Sequence, residues 1–210
     1  MKKYIFSWAL LLIIQVAIGQ NNDRYTGAMG ASLQQFATAK SATEMNELAA
    51  KFQRIGEAEK TQWLPFYYAA MIKAQMAMGN AKQADALAAE ADALIAKAAT
   101  IEDNAELDCV RNMANTARML VDPMNRWQQY GPIAARFLQD AMKKDPTNPR
   151  PYMLQAASLI NTPEQFGGGC KTAKPLAEKA IQLYESFKSP SSLHPNWGKE
   201  TVVGIVQQCK

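Results

Sequence analysis

Asp145-Pro146-Thr147-Asn148-Pro149-Arg150-Pro151-Tyr152 is the stretch on which the fold turns. Asp145-Pro146 ends a helical pattern, because the proline ring disfavours helical backbone at the residue before it. On one side stand Ala134, Leu138 and Ala141, and on the other Tyr152, Ala156 and Leu159. Both sets recur at three and four residues, the spacing of one helix face. The pattern predicts two helices joined by a short turn. A methyl side chain at the crossing lets the axes approach to about 8–9 Å, and a ring or leucine one turn away fills the remaining space.

Working outward, no segment carries an alternating β-branched run, and Ala, Gln, Lys, Glu, Met and Leu dominate, which are strong helix formers. Ala84, Leu87, Ala88, Ala91, Leu94, Ile95 and Ala98 form a second stripe, and Leu176, Ala180, Leu183 and Tyr184 a third. Ser41-Ala-Thr-Glu44 and Asp103-Asn-Ala-Glu106 have the form of a capping box. Gly79-Asn80 reads as a stop, and Asp122-Pro123 and Thr162-Pro163 read as breaks. The predicted helices are 31–40, 43–57, 62–78, 81–99, 104–121, 132–144, 150–161, 171–187 and 197–208, with 121–130 as an inserted segment.

The register around Pro146 resembles the tetratricopeptide repeat, a helical pair of about 34 residues. Ala134, Leu138, Ala141 and Pro146 match its second helix, and Tyr152, Ala156 and Leu159 the next first helix. Residues 65–98 fit except at Ile72, where the family has a small residue. The chain also resembles a group of exported bacterial tetratricopeptide-like proteins. The shared segments are Trp-Leu-Pro-Phe-Tyr-Tyr-Ala-Ala at 63–70, Val-Asp-Pro-Met at 121–124, Thr-Pro-Glu-Gln-Phe-Gly-Gly-Gly at 162–169 and His-Pro-Asn-Trp-Gly at 194–198. The resemblance implies an all-α, right-handed array of antiparallel helical hairpins with a C-terminal capping helix. It also implies export, and it supplies no activity.

Met1-Lys2-Lys3, the apolar run from Tyr4 to Ile18 and Ala17-Ile18-Gly19 have the order of a signal peptide. The expected division is 1–19 as signal, 20–30 as a flexible N-terminal segment and 31–210 as the helical domain. No later run approaches the length of a membrane span, so no transmembrane segment is expected after cleavage. Losing Lys2 and Lys3 takes the formal charge from +4 to +2, too weak a balance to suggest nucleic acid. The expected location is the periplasm or the exterior.

Three cysteines make at least one free or intermolecular thiol. Cys170 should open one helix and Cys209 close the next. If those helices are antiparallel neighbours the sulfurs meet, either as a disulfide or as two reduced thiols. Cys109 reads as a core thiol.

The catalytic readings are weak. Phe166-Gly167-Gly168-Gly169-Cys170-Lys171-Thr172 lacks the Walker spacing, since Cys170 separates the last glycine from Lys171. Ser191, Ser192 and His194 lie in a linker with no oriented third group, and Asn196 reads as a cap for the last helix. No metal-ligand spacing occurs, and no cofactor is expected.

In the family register Lys73, Arg111, Asn115, Arg118 and Arg150 face a concave groove, where two arginines and an asparagine on one helical face could grip a peptide carboxylate. The expected function is a non-enzymatic, envelope protein-interaction module, an adaptor or assembly factor with a protein or peptide partner. The rival is a solute- or glycan-binding protein using Trp127, Tyr130 and the Gly-rich loop. An open curved groove favours the first, and an aromatic pocket beside 121–130 and 162–169 the second.

Overall fold

The computed structural model describes residues 23–210, so the signal-peptide expectation for 1–19 lies outside the described residues. Helix α1 covers residues 23–38. Then follow α2 (Ala42–Glu59), α3 (Leu64–Gly79), α4 (Ala84–Ala99), α5 (Ala105–Leu120) and α6 (Pro123–Lys144). The chain closes with α7 (Pro149–Ile160), a 3-10 turn (Glu164–Phe166), α8 (Cys170–Ser186) and α9 (Lys199–Gln208). No strand occurs among the described residues, and consecutive helices pack into an array of hairpins.

Ion pairs fix the directions. Asp85 at the start of α4 meets Arg126 at the start of α6, at 2.8 Å. Lys144, closing α6, meets Asp103 just before α5, at 2.7 Å. Glu106 and Arg150 join the starts of α5 and α7. The first helices of the pairs, α3, α5 and α7, therefore run one way, and α4 and α6 the other.

Alanine makes the seams. Ala69, Ala70, Ala74, Ala88, Ala91, Ala98, Ala114, Ala141, Ala156, Ala173, Ala177 and Ala180 are all fully buried. With only a methyl between them, helices pack at the close end of the usual range, and the interior reaches crystal-like density. One core joins α1 to α5 and takes in Leu193. A second joins Met153 and Ala156 of α7 to α8 and to Val202 and Ile205 of α9. Leu154 and Trp197 pack against both.

Helix starts follow from side chains that satisfy orphan amides. Ser41 Oγ accepts from Glu44 N at 3.2 Å and the Glu44 carboxylate accepts from Ser41 N at 2.8 Å. The box expected at Asp103–Glu106 does not form. Asn104 caps α5, accepting from Leu107 N at 3.2 Å, because Asp103 is engaged by Arg111 and Lys144 and Glu106 turns inward.

Three other expectations are corrected. Residues 23–30, expected to be loose, are helical, since Tyr25 and Met29, one turn apart, are buried in the main core. The insertion expected at 121–130 is the first half of α6: Asp122 accepts from Asn125 N at 3.3 Å, and Pro123 occupies the first turn, where no donor is needed. Pro132 is carried inside that helix. Asn196 does not cap α9, which starts after Gly198 at φ +104°, where an added Cβ would lie 2.4 Å from the Tyr184 hydroxyl.

Candidate functional site

The five residues expected on a groove are engaged within the chain. Lys73 donates to Asn46 Oδ1 at 2.8 Å and pairs with Glu90 at 2.6 Å, in a cleft of about 220 Å³ between α2 and α4. Arg118 pairs with Asp92 of α4 at 2.6 Å. Arg111 pairs with Asp103 at 2.8 Å and with Asp108. Asn115 donates to the Arg111 carbonyl at 2.8 Å. Arg111, Asn115 and Arg118 do share a face of α5, but the arginines there are met by acids. Arg150 is elsewhere: it is 1 % exposed, and its guanidinium lies on the Glu106 carboxylate.

That buried pair organises one end of the first helices. Arg150 Nε donates to both Glu106 oxygens at 2.7 and 2.8 Å, and Nη2 donates to Oε1. Asn148 Nδ2 adds a bond to the same carboxylate at 2.6 Å. Nη1 has no hydrogen-bond acceptor, and the guanidinium instead lies 4.6 Å from the Phe187 ring centroid. Burial holds the Tyr67 hydroxyl protonated, well above its ordinary pKa, and the Glu106 charge adds to the shift.

Residues 187–198, between α8 and α9, form a strap across this end. The strap leaves α8 at Phe187, over Arg150, and runs out to α3, where Tyr68 donates to the Leu193 carbonyl at 2.7 Å and Trp63 meets the His194 ring edge-on at 5.9 Å. It returns at Trp197, whose indole donates to Tyr67 Oη at 2.8 Å and whose carbonyl accepts from Tyr184 at 2.7 Å. Ser191 Oγ lies 2.8 Å from His194 Nδ1, an i to i+3 contact inside the strap, and Ser191 also accepts from Leu193 N. That geometry is a turn.

Burial holds the His194 imidazole below its ordinary pKa, with Glu102 and Glu106 opposing and Arg150 assisting. The unfolded chain therefore binds this proton more readily than the folded one. Stability owed to the seated strap is full above about pH 6.5, the ordinary imidazole value, and falls as pH drops from there towards the folded value. Protonation should be visible as a change in Trp63 fluorescence, centred below pH 6.5 and absent in His194→Gln. A midpoint at or above that value would contradict the burial.

The opposite end of α3, α5 and α7 carries most of the large exposed apolar side chains among the described residues. Met78 closes α3, Leu120 closes α5, and Phe166 follows α7; all are exposed. Met124 and Trp127, three residues apart at the start of α6, are 78 % and 54 % exposed. Of the large exposed apolar side chains among the described residues, only Val203 lies elsewhere. Exposed large apolar side chains gathered at one end of a fold mark a candidate interaction site. Sequence reasoning put Trp127 beside the 162–169 loop that carries Phe166, but missed that Met78 and Leu120 share their end, because that follows from helix direction.

Cys170 and Cys209 are disulfide-bonded, with Cα atoms 5.3 Å apart, and Cys109 is a buried free thiol. No metal-holding cluster of His, Cys, Asp or Glu occurs among the described residues, and no helix there is long and apolar enough to cross a membrane.

Fold and surface together define an all-helical array of hairpins with one end covered by its own chain and large apolar side chains exposed at the other. No protein-family model matches the chain, the tetratricopeptide repeat included, and no curated protein matches it either. Among solved structures it is similar to the HusA haemophore from Porphyromonas gingivalis. The two are 38% identical over 89% of this chain and 92% of that one, with a TM-score of 0.81. The chain belongs to the HusA haemophore family.

Proposed function

We propose that this chain is an exported, non-enzymatic haem- or porphyrin-binding protein. The observation that carries the reading is the 38% identity to a haemophore across nearly the whole of both chains. The apolar end gives it a surface. A porphyrin is a large, flat, apolar plane, and Trp127, with Met124 one turn before it on α6, offers one exposed face of matching chemistry. Met124 and Tyr130 lie three residues either side of Trp127 on α6 and carry a thioether and a phenol, both of which ligate haem iron in other proteins. The disulfide suits an oxidising location outside the cytoplasm.

Titrating the chain with haem should shift the Soret band and quench tryptophan fluorescence. Trp127→Ala should weaken binding about tenfold, or ~1.4 kcal/mol, without changing the unfolding midpoint. No spectral change at any haem concentration would remove the function. Full affinity in Trp127→Ala would move the site away from this end while leaving the function standing.

The adaptor reading has less support, because the arginines expected to grip a peptide already hold Asp92, Asp103 and Asp108. A protein that receives or delivers the porphyrin is compatible with the same apolar end.

A further inference from the structure

We propose that residues 187–210, the strap together with α9, form a cover over the aromatic start of α3 and the Glu106 end of α5, and that the Cys170–Cys209 disulfide latches it shut. This does not rest on the haem reading. Three observations carry it.

The strap has little structure of its own. Its internal bonds are the Ser191 turns, and it is seated by Leu193, Trp197 and the hydroxyls of Tyr68 and Tyr184, which belong to the body. Such a segment opens locally at a lower free energy than the helices beneath it.

The element that follows is weak alone. Helix α9 has 10 residues, of which only Val202 and Ile205 are buried, and an isolated helix of that length is marginal in water. Beyond the chain's own connection at Ser186, Cys209 is the one covalent tie of this unit to the body. That tie closes a span of 39 residues and sits at the far end of α9 from the strap. Both cysteines are partly buried, and neither is fully enclosed.

The covered surface is distinctive. Beneath the strap lie Trp63, Tyr67 and Tyr68, with the Glu106–Arg150 pair between them and α7. Opening would bring an indole, two phenols and a guanidinium to solvent in one place.

The chemistry is thiol–disulfide exchange with a small dithiol. Its thiolate attacks one sulfur, the other cysteine leaves as a thiolate and takes up a proton, and the second thiol of the reagent closes on the mixed disulfide. Two electrons and two protons pass to Cys170 and Cys209, and the dithiol becomes a disulfide.

The test is hydrogen exchange on the oxidised chain, before and after adding dithiothreitol, with thiol labelling to show that both cysteines are reduced. Amides of 187–210 should exchange roughly tenfold faster or more after reduction, while α4, α5 and α6 keep their rates. Acrylamide quenching of tryptophan should rise in parallel. Cys170→Ser/Cys209→Ser should behave as the reduced chain does, and the reduction experiment stands by itself if that variant does not fold. Unchanged exchange in 187–210 with both thiols labelled would overturn the latch. So would acceleration of all helices together, since the bond would then hold the whole fold.

Discussion

Arg150→Ala will destabilise the fold by about 3–5 kcal/mol, measured as the urea midpoint of the helical signal. The size follows from what stays behind. Glu106 is 8 % exposed, and its carboxylate takes three of its hydrogen bonds from Arg150. Without the guanidinium it remains inside with Asn148 and a Tyr67 hydroxyl at 3.4 Å as partners, which cannot offset a charge removed from water. Glu106→Ala should cost a comparable amount, leaving the cation against the Phe187 ring. Replacing both, as Glu106→Leu with Arg150→Met, should recover much of the loss, because an apolar pair of similar volume avoids the desolvation that the ions suffer. A loss under ~1 kcal/mol in Arg150→Ala would mean that water reaches the pair.

Phe52→Ala should cost about 3–5 kcal/mol by the same measurement. Phe52 is 0 % exposed and stacks on Tyr68 with centroids 5.3 Å apart at 25°. Removing the ring opens a cavity between α2 and α3 and ends a stacking contact of about 0.5–1.5 kcal/mol. The interior is close-packed, so the space collapses only in part. Phe52→Leu should cost far less, roughly 1–2 kcal/mol, because most of the volume survives. An Ala variant no worse than the Leu variant would show that the seam relaxes.

Helices and turns were legible because their signals are local. The alanine stripes of α4, the Ser41 box and the Asp145–Pro146 turn are read within one or two helical turns. Asp122-Pro123 shows the limit of such signals: the same dipeptide that ends one helix opens the next, and nothing nearby says how soon. Repeat register placed Arg111, Asn115 and Arg118 on one face, but it assigns positions and not partners, so Asp92 and Asp103 went unseen. Register alone makes Arg150 a groove cation, because its burial depends on Glu106, 44 positions away. The strap was harder still, with Tyr68 and Leu193 separated by 125 residues. Lys73 departs from the groove because α3 is buried on nearly every side, leaving the ammonium only the cleft towards α2 and α4.

The methyl-lined seams carry a mechanical consequence. Each sets the separation of two rods, so one extra carbon there must tilt a whole rod, and the tilt passes to the next pair because the interior has no slack. The body thus behaves as a stiff ruler. Change is tolerated where rods end, and there the molecule meets whatever it carries.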